Sequence, residues 1–442
     1  MKKEKEHLLP SKIEISIGIV VYITLLIALT FGVSSCSSEC EIEQTYTYFQ
    51  PVYTTIDELR SSVTLTAPQE IDSMGKLFYK DGFLYVNEPN KGVHVIDNRD
   101  PSNPINQAFI VIPGSFDLAI KENILYSDSY IDLVAIDISS PQEAVEVGRV
   151  EEAFIGYNSY GFYVDPELGL VTDWQETSEV SVTESSCEGQ SYGWGVYYAN
   201  GIAVNEVSNF DATTAVSPTN PGIGGSMSRF AITNNHLFVM DGSEIFPVEI
   251  DIPSSMEVGN RLFLDWGIET IFPKGENIFI GATNGMYIVD VSSPLSPSLI
   301  SIYSHINSCD PVVVDGDYAY VTLRFGNTCA GFTNQLEVID ISDLEEPQLV
   351  AVHEMTNPHG LGKDGELLFI CDGSAGLRVF DASDYQTIKE NEIANYTDLF
   401  AYDIIPFNNV AMLLAEDGLY QYDYSNINEI KFLSKIQFDN GN

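Results

Sequence analysis

The chain has 442 residues, 44% of them apolar, with 24 Tyr and 23 Phe, which supplies a sizeable core and argues against disorder over most of its length. Against 20 Lys+Arg stand 64 Asp+Glu, a formal net charge of -44. A surface that negative repels phosphate backbones, so nucleic acid is not an expected partner. The plainest consequence of the acid excess is a well-solvated, aggregation-resistant surface; binding of a divalent cation or a basic partner is the functional alternative.

The N-terminus sets the compartment. Lys2, Lys3, Lys5 and Lys12 precede an apolar run over residues 17–33, followed by Ser34, Ser35 and Cys36. This resembles a bacterial lipoprotein signal (residues 1–35), in which aliphatic Val33 and two small residues lead to the cysteine that is lipidated, here Cys36. The rival is an uncleaved anchor, since roughly 17 apolar residues is the short end of what spans a bilayer. Either reading places the body outside the cytoplasm. Ser37 after the cysteine resembles outer-membrane targeting, and Glu39, Glu41 and Glu43 resemble a surface-export signal.

Removing Cys36 leaves Cys40, Cys187, Cys309, Cys329 and Cys371, an odd number for an oxidising space. Cys309 and Cys329 fall in one repeat and are expected to pair as a disulfide. The remainder read as one buried thiol and two in flexible segments. No CxxC or Cys/His zinc spacing occurs.

Residues 36–60 have no clear period and read as a flexible tether behind the lipidated cysteine. Residues 61–71 read as one extended strand, and repeats follow. Each repeat holds an alternating apolar strand that ends on an acid before a Ser/Pro turn: GVHVIDNRDPSNP (Asp97), DLVAIDISSPQ (Asp137), FPVEIDIPSS (Asp251), GMYIVDVSSPLSP (Asp290), QLEVIDISDLEEP (Asp340), GLRVFDASD (Asp381) and GLYQYDYSN (Asp423). The first unit parses as KLFYKD, GFLYVNEP, KGVHVIDN and NQAFIVIPG, four short strands joined by turn residues. Four strands in about 40 residues make one propeller blade.

The expected fold is therefore all-β: a β-propeller over residues 61–442 with seven four-stranded blades. The long gap between Asp137 and Asp251 is read as one insertion, residues 155–225. An eighth, degenerate blade through GFYVDPELGLVTDW is the alternative. KFLSKIQF near the C-terminus reads as the outer strand of the last blade, and the strand near Val63 to Thr66 is expected to augment that same blade. The copies VHVIDN, LVAIDI, MYIVDV, LEVIDI and LRVFDA resemble the LVIVD repeat of bacterial and archaeal cell-surface proteins, which implies a propeller and supplies no catalytic residues. FPVEIDI and LYQYDYSN depart from it.

Seven marker acids could ring a channel, but an acid at a strand end accepts backbone N–H groups of the following turn, and its presence in every blade favours that role. His94 reads as a core residue. His359, in NPHGLGKDG, stands with Asp310, in SCDPVVVDG, as a candidate polar ligand site near the axis. The common hydrolase, nucleotide and zinc-protease motifs are missing. Asp-Gly pairs such as Asp315-Gly316 point only weakly to calcium, since the twelve-residue calcium loop is lacking, so no cofactor is expected. The insertion holds Trp174, Trp194 and SYGWGVYYANG, candidate residues for stacking on sugar rings or a protein partner. The expected protein is a lipid-anchored, extracytoplasmic propeller, with outer membrane or cell surface as its address. It is read as a scaffold that binds an unknown envelope protein or glycan and catalyses no reaction. A metal-dependent propeller hydrolase or lactonase is the alternative.

Overall fold

Alternation of Val, Ile, Leu, Phe and Tyr with turn pairs fixes the local structure. At Asn234-Asn235 and Asn408-Asn409 both residues take positive φ, between 48° and 62°, the twist that a two-residue hairpin needs and that asparagine tolerates. The computed structural model describes residues 39–73, 75–140, 142–154, 164–165, 167–186, 223–226, 228–265, 267–305, 311–325 and 333–438. The chain divides into two units, Met1–Pro51 with Trp174–Ala203, and Val52–Asp173 with Val204–Asn442.

The larger unit is a propeller. Among the described residues, seven successive antiparallel sheets each hold four strands in chain order. Their inner strands are Leu77–Lys80, Leu118–Lys121, Phe230–Thr233, Ile268–Lys274, Val312–Asp315, Leu361–Asp364 and Ala401–Phe407. Each inner strand packs beside that of the next blade, and the first packs beside the seventh, so the ring closes. The cores lie between blades. Phe272 and Met286 of blade 4, Val312 and Leu336 of blade 5 and Leu368 of blade 6 belong to one buried cluster. A twisted sheet can bury both its faces only this way.

The expected outer strand of the last blade is present as Lys431–Gln437. The count of seven agrees with the expectation. The stretch considered for an eighth blade instead forms Val164–Asp165 and Gly169–Ser186, in a three-stranded sheet with Glu39–Thr54.

Three expectations are corrected. The segment read as a flexible tether carries the strand Glu39–Thr54 and the helix Ile56–Arg60. That helix begins with a capping box, in which the Thr55 side chain accepts from Glu58 N and Glu58 reaches back to Thr55 N. Asp132, buried in blade 2, accepts from Arg60 Nε at 2.9 Å and Arg149 Nη1 at 3.0 Å, tying the helix to that blade. Secondly, the strand Thr64–Thr66 pairs with Ile105–Val111 and extends the first blade, not the last. Thirdly, the marker of blade 3 is Glu249, not Asp251: Glu249 pairs with His236 as Asp290 pairs with Asn277. Asp251 lies two residues on and accepts from Lys121 Nζ at 3.3 Å.

Candidate functional site

Polar residues recur at one aligned position of the inner strands in five of the seven blades. Pairing aligns Leu77, Leu118, Phe230, Ile271, Val312, Leu361 and Ile404 across the blades. Immediately before them stand Lys76, Asp117, Arg229, Thr270, Pro311, Gly360 and Asp403. On the four consecutive blades 7, 1, 2 and 3 the series reads Asp403, Lys76, Asp117, Arg229, alternating in sign.

Lys76, Asp117 and Asp403 are buried. Lys76 Nζ lies 3.7 Å from Asp117 Oδ2. Burial lowers the Lys76 pKa to about 8 against the opposing pull of Asp117 and Asp403. Asp117 accepts from Ser228 Oγ at 3.0 Å and from Arg229 N. Next to it, Asp128 accepts from Phe116 N at 2.7 Å and Asp117 N at 3.1 Å, and burial raises its pKa to about 6.

Asp403 is pushed up furthest, to about 7, by burial that two backbone hydrogen bonds and Lys76 only partly offset. Its Oδ1 accepts from Ser226 N at 3.2 Å, and among the described residues its Oδ2 has no hydrogen-bond partner. Ser226 follows two residues that pair with the inner strand of blade 1: Ile223 pairs with Tyr79 and Gly224 with Phe78, and Ser226 Oγ accepts from Leu361 N at 2.7 Å. A Cβ on Gly225 would sit 1.7 Å from Asp403 Oδ2, so only glycine admits this approach. Beyond Gly224 a cavity of about 430 Å³ runs between the inner strands of blades 4 to 7, walled by Phe272, Val313, Leu361 and Ile404. At its edge Lys363 Nζ donates to Asp315 Oδ2 at 3.0 Å.

Among the residues singled out by sequence, His359 stands two residues ahead of the inner strand of blade 6. It is buried between Phe400 and Tyr402, with edge contacts at 5.4 and 5.2 Å. Arg324 Nη1 and Asn357 Nδ2 both donate to its Nε2 at 3.3 Å. Burial and the Arg324 charge lower its pKa to about 3, so near neutrality it is an uncharged acceptor, unsuited to general acid–base work. Asp310, its intended partner, lies outside the described residues, as do Cys36, Cys309, Cys329 and Trp194. Trp174 lies half-buried in the smaller unit, on the strand Gly169–Ser186. Cys371 is a buried free thiol whose pKa is raised by burial. His94 is buried, its Nε2 2.8 Å from Glu88 Oε2 and its ring tilted against Phe109 with centroids 4.6 Å apart.

In six blades the marker acid accepts the backbone N–H two residues on, at 2.8 to 3.1 Å. Side-chain and backbone donors of Ser139, Ser342, Ser383 and Ser425 hold Asp137, Asp340, Asp381 and Asp423 below the usual carboxylate range. The markers are turn residues. Among the described residues no three His, Cys, Asp or Glu side chains are grouped to hold a metal ion.

The buried charges at the inner strands were missed by sequence reasoning. Their signal was a polar residue at one aligned position in five of the seven blades, visible only once the blades are aligned by pairing.

The LVIVD repeat model matches residues 115–152, 271–305 and 308–353, which are blades 2, 4 and 5, so the chain carries LVIVD repeats. No curated protein sequence matches it. Among solved structures, Hsv2 of Kluyveromyces lactis is similar at 10% identity and a TM-score of 0.47, over 83% of this chain and 100% of that one. BamB of Moraxella catarrhalis is similar at 9% identity and a TM-score of 0.42, over 85% and 92%. The computationally designed Ika8 protein is similar at 10% identity and a TM-score of 0.47, over 85% and 90%. The propeller assignment rests on the strand order and the closed succession of inner strands described above.

Proposed function

We propose that this seven-bladed propeller with LVIVD repeats is a lipid-anchored, extracytoplasmic scaffold that binds an envelope partner and catalyses no reaction. One observation carries the reading: the buried carboxylates at the inner strands are engaged by the chain itself. Asp117 is engaged by Lys76, Ser228 and Arg229, Asp128 by two amides, and Asp403 by Ser226. A metal-dependent hydrolase needs carboxylates that converge on an open coordination site. What is left for function is the surface of the propeller, with Cys36 as the membrane attachment and an insertion that holds Trp174 and Trp194 as candidate contacts.

The anchor is tested by fatty-acid labelling and fractionation of the full chain. With Cys36→Ala, label is lost and processing fails; an unsubstituted chain that carries no label and is not cleaved contradicts the lipoprotein reading in favour of an uncleaved anchor. The binding role is tested by thermal unfolding with and without calcium. The scaffold shows no calcium-dependent rise in Tm, whereas a rise of several degrees favours the hydrolase. Deleting residues 159–221 with the fold retained removes binding to a glycan or protein if the insertion is the contact surface.

A further inference from the structure

The outer strands share one irregularity. In six blades the pairing of third and outer strands skips one residue, for example Ile300 in blade 4 and Val350 in blade 5. The bulge aligns two outer positions in every such blade. They are Asn106 and Phe109 in blade 1, Glu146 and Arg149 in blade 2, Leu299 and Ile302 in blade 4, Leu349 and Val352 in blade 5, Glu392 and Asn395 in blade 6, and Phe432 and Lys435 in blade 7.

Four of these rims are protected in ways that open sheet edges commonly are. Blade 1 is covered by the fifth strand Thr64–Thr66. Glu146 and Arg149 bond to each other, Glu392 to Arg378, and Lys435 to Asp417. Blades 4 and 5 differ: both aligned positions are apolar, whereas Phe432 of blade 7, 56% exposed, shares its strand with Lys431 and Lys435. Leu299 and Ile302 are 42% and 44% exposed, and Leu349 and Val352 are 45% and 47% exposed. Their outer strands, Ser298–Ser304 and Gln348–Glu354, contain no Lys, Arg or Pro. Blade 1 shows that the same bulged edge accepts an added antiparallel strand.

We propose that the outer edges of blades 4 and 5 are docking sites for an extended segment of a basic partner protein. That segment would add as a fifth strand and seat alternate apolar side chains on Leu299 and Ile302, or on Leu349 and Val352. Charge selects the partner. A second copy of this chain brings another net -44 and repels. The edge of blade 5 is bracketed by Asp343, Glu345, Glu346 and Glu354, with Lys389 3.6 Å from Glu354 as a neighbouring cation. A segment flanked by Lys or Arg fits that frame. This deepens the scaffold reading and rests on it.

The probe is a synthetic peptide of alternating Val and Thr with two lysines at each end, added to the full chain and followed by hydrogen exchange. Added protection confined to residues 298–304 and 348–354 is expected. Leu349→Lys with Val352→Lys should weaken binding at blade 5 more than tenfold and leave blade 4 bound. Leu299→Lys with Ile302→Lys should do the converse, with Tm unchanged as the check on folding. Protection elsewhere, no binding, equal binding of a glutamate-flanked peptide, or self-association through these edges overturns the proposal. A calcium-dependent rise in Tm overturns the scaffold reading and this proposal with it; failure of the peptide alone, with Tm insensitive to calcium, overturns only the edge assignment.

Discussion

The start of the inner strands and the rim of blades 4 and 5 break the ordinary partition of residues in opposite directions. One buries charge and the other exposes apolar side chains. At the inner strands Lys76, Asp117 and Asp403 are deeply buried, yet they face opposite charges or backbone donors, with one oxygen of Asp403 left over. At the rim, Leu299, Ile302, Leu349 and Val352 stand exposed on strand edges that no further strand pairs among the described residues. A satisfied anomaly points to structure, and an unsatisfied one points to a partner.

The largest effect should come from breaking the inner series. Asp117→Ala removes the carboxylate 3.7 Å from the buried Lys76 ammonium, and removing one member of a buried pair costs about 3–5 kcal/mol. Urea unfolding should show the loss; a change below about 1 kcal/mol would mean that the series is not a stability element.

The second effect is a pH dependence. The raised pKa of Asp403, about 7, means that the folded chain keeps a proton which the unfolded chain releases near pH 4. Stability therefore falls as pH rises from about 4 to 7, by a ceiling on the order of 4 kcal/mol. Lys76 works with the opposite proton sign: its pKa is lowered to about 8, so its cost persists below that pH and fades above it. Asp403→Asn should make the fall between pH 4 and 7 shallower, leaving the part that comes from the raised pKa of Asp128, as measured by urea midpoints across that range.

A smaller loss should follow Gly225→Ala, whose Cβ must displace the Asp403 carboxylate. Overpacking of this kind costs about 1–3 kcal/mol, readable as a lowered Tm. Smallest of all, Leu349→Lys at the rim should change stability by no more than about 0.5 kcal/mol, because it removes no buried contact. A larger loss would show that this edge is already packed.

The blades were legible in sequence because a half-buried strand alternates and a hairpin needs Asn, Asp or Gly. KFLSKIQF could be placed for that reason. Blade 3 misled because FPVEIDI offers two acids two residues apart on the same face, and only pairing with His236 selects Glu249. The strand Thr64–Thr66 could be recognised as a strand but not assigned a neighbour, since both edge blades offer an alternating partner. The rim was illegible for a related reason. Leu299 and Leu349 look like core residues until the bulge turns them outward. The inner charges needed the blades aligned to one another, because Lys76, Asp117, Arg229 and Asp403 share no local motif.

The most direct test of the contrast between axis and rim is the affinity of the lysine-flanked Val/Thr peptide for three forms of the chain. These are the unsubstituted protein, Asp403→Asn, and the quadruple rim variant Leu299→Lys, Ile302→Lys, Leu349→Lys, Val352→Lys. The account predicts that Asp403→Asn binds within twofold of the unsubstituted protein and that the rim variant binds more than tenfold more weakly. Unchanged affinity in the rim variant with loss in Asp403→Asn would contradict it and place recognition at the axis.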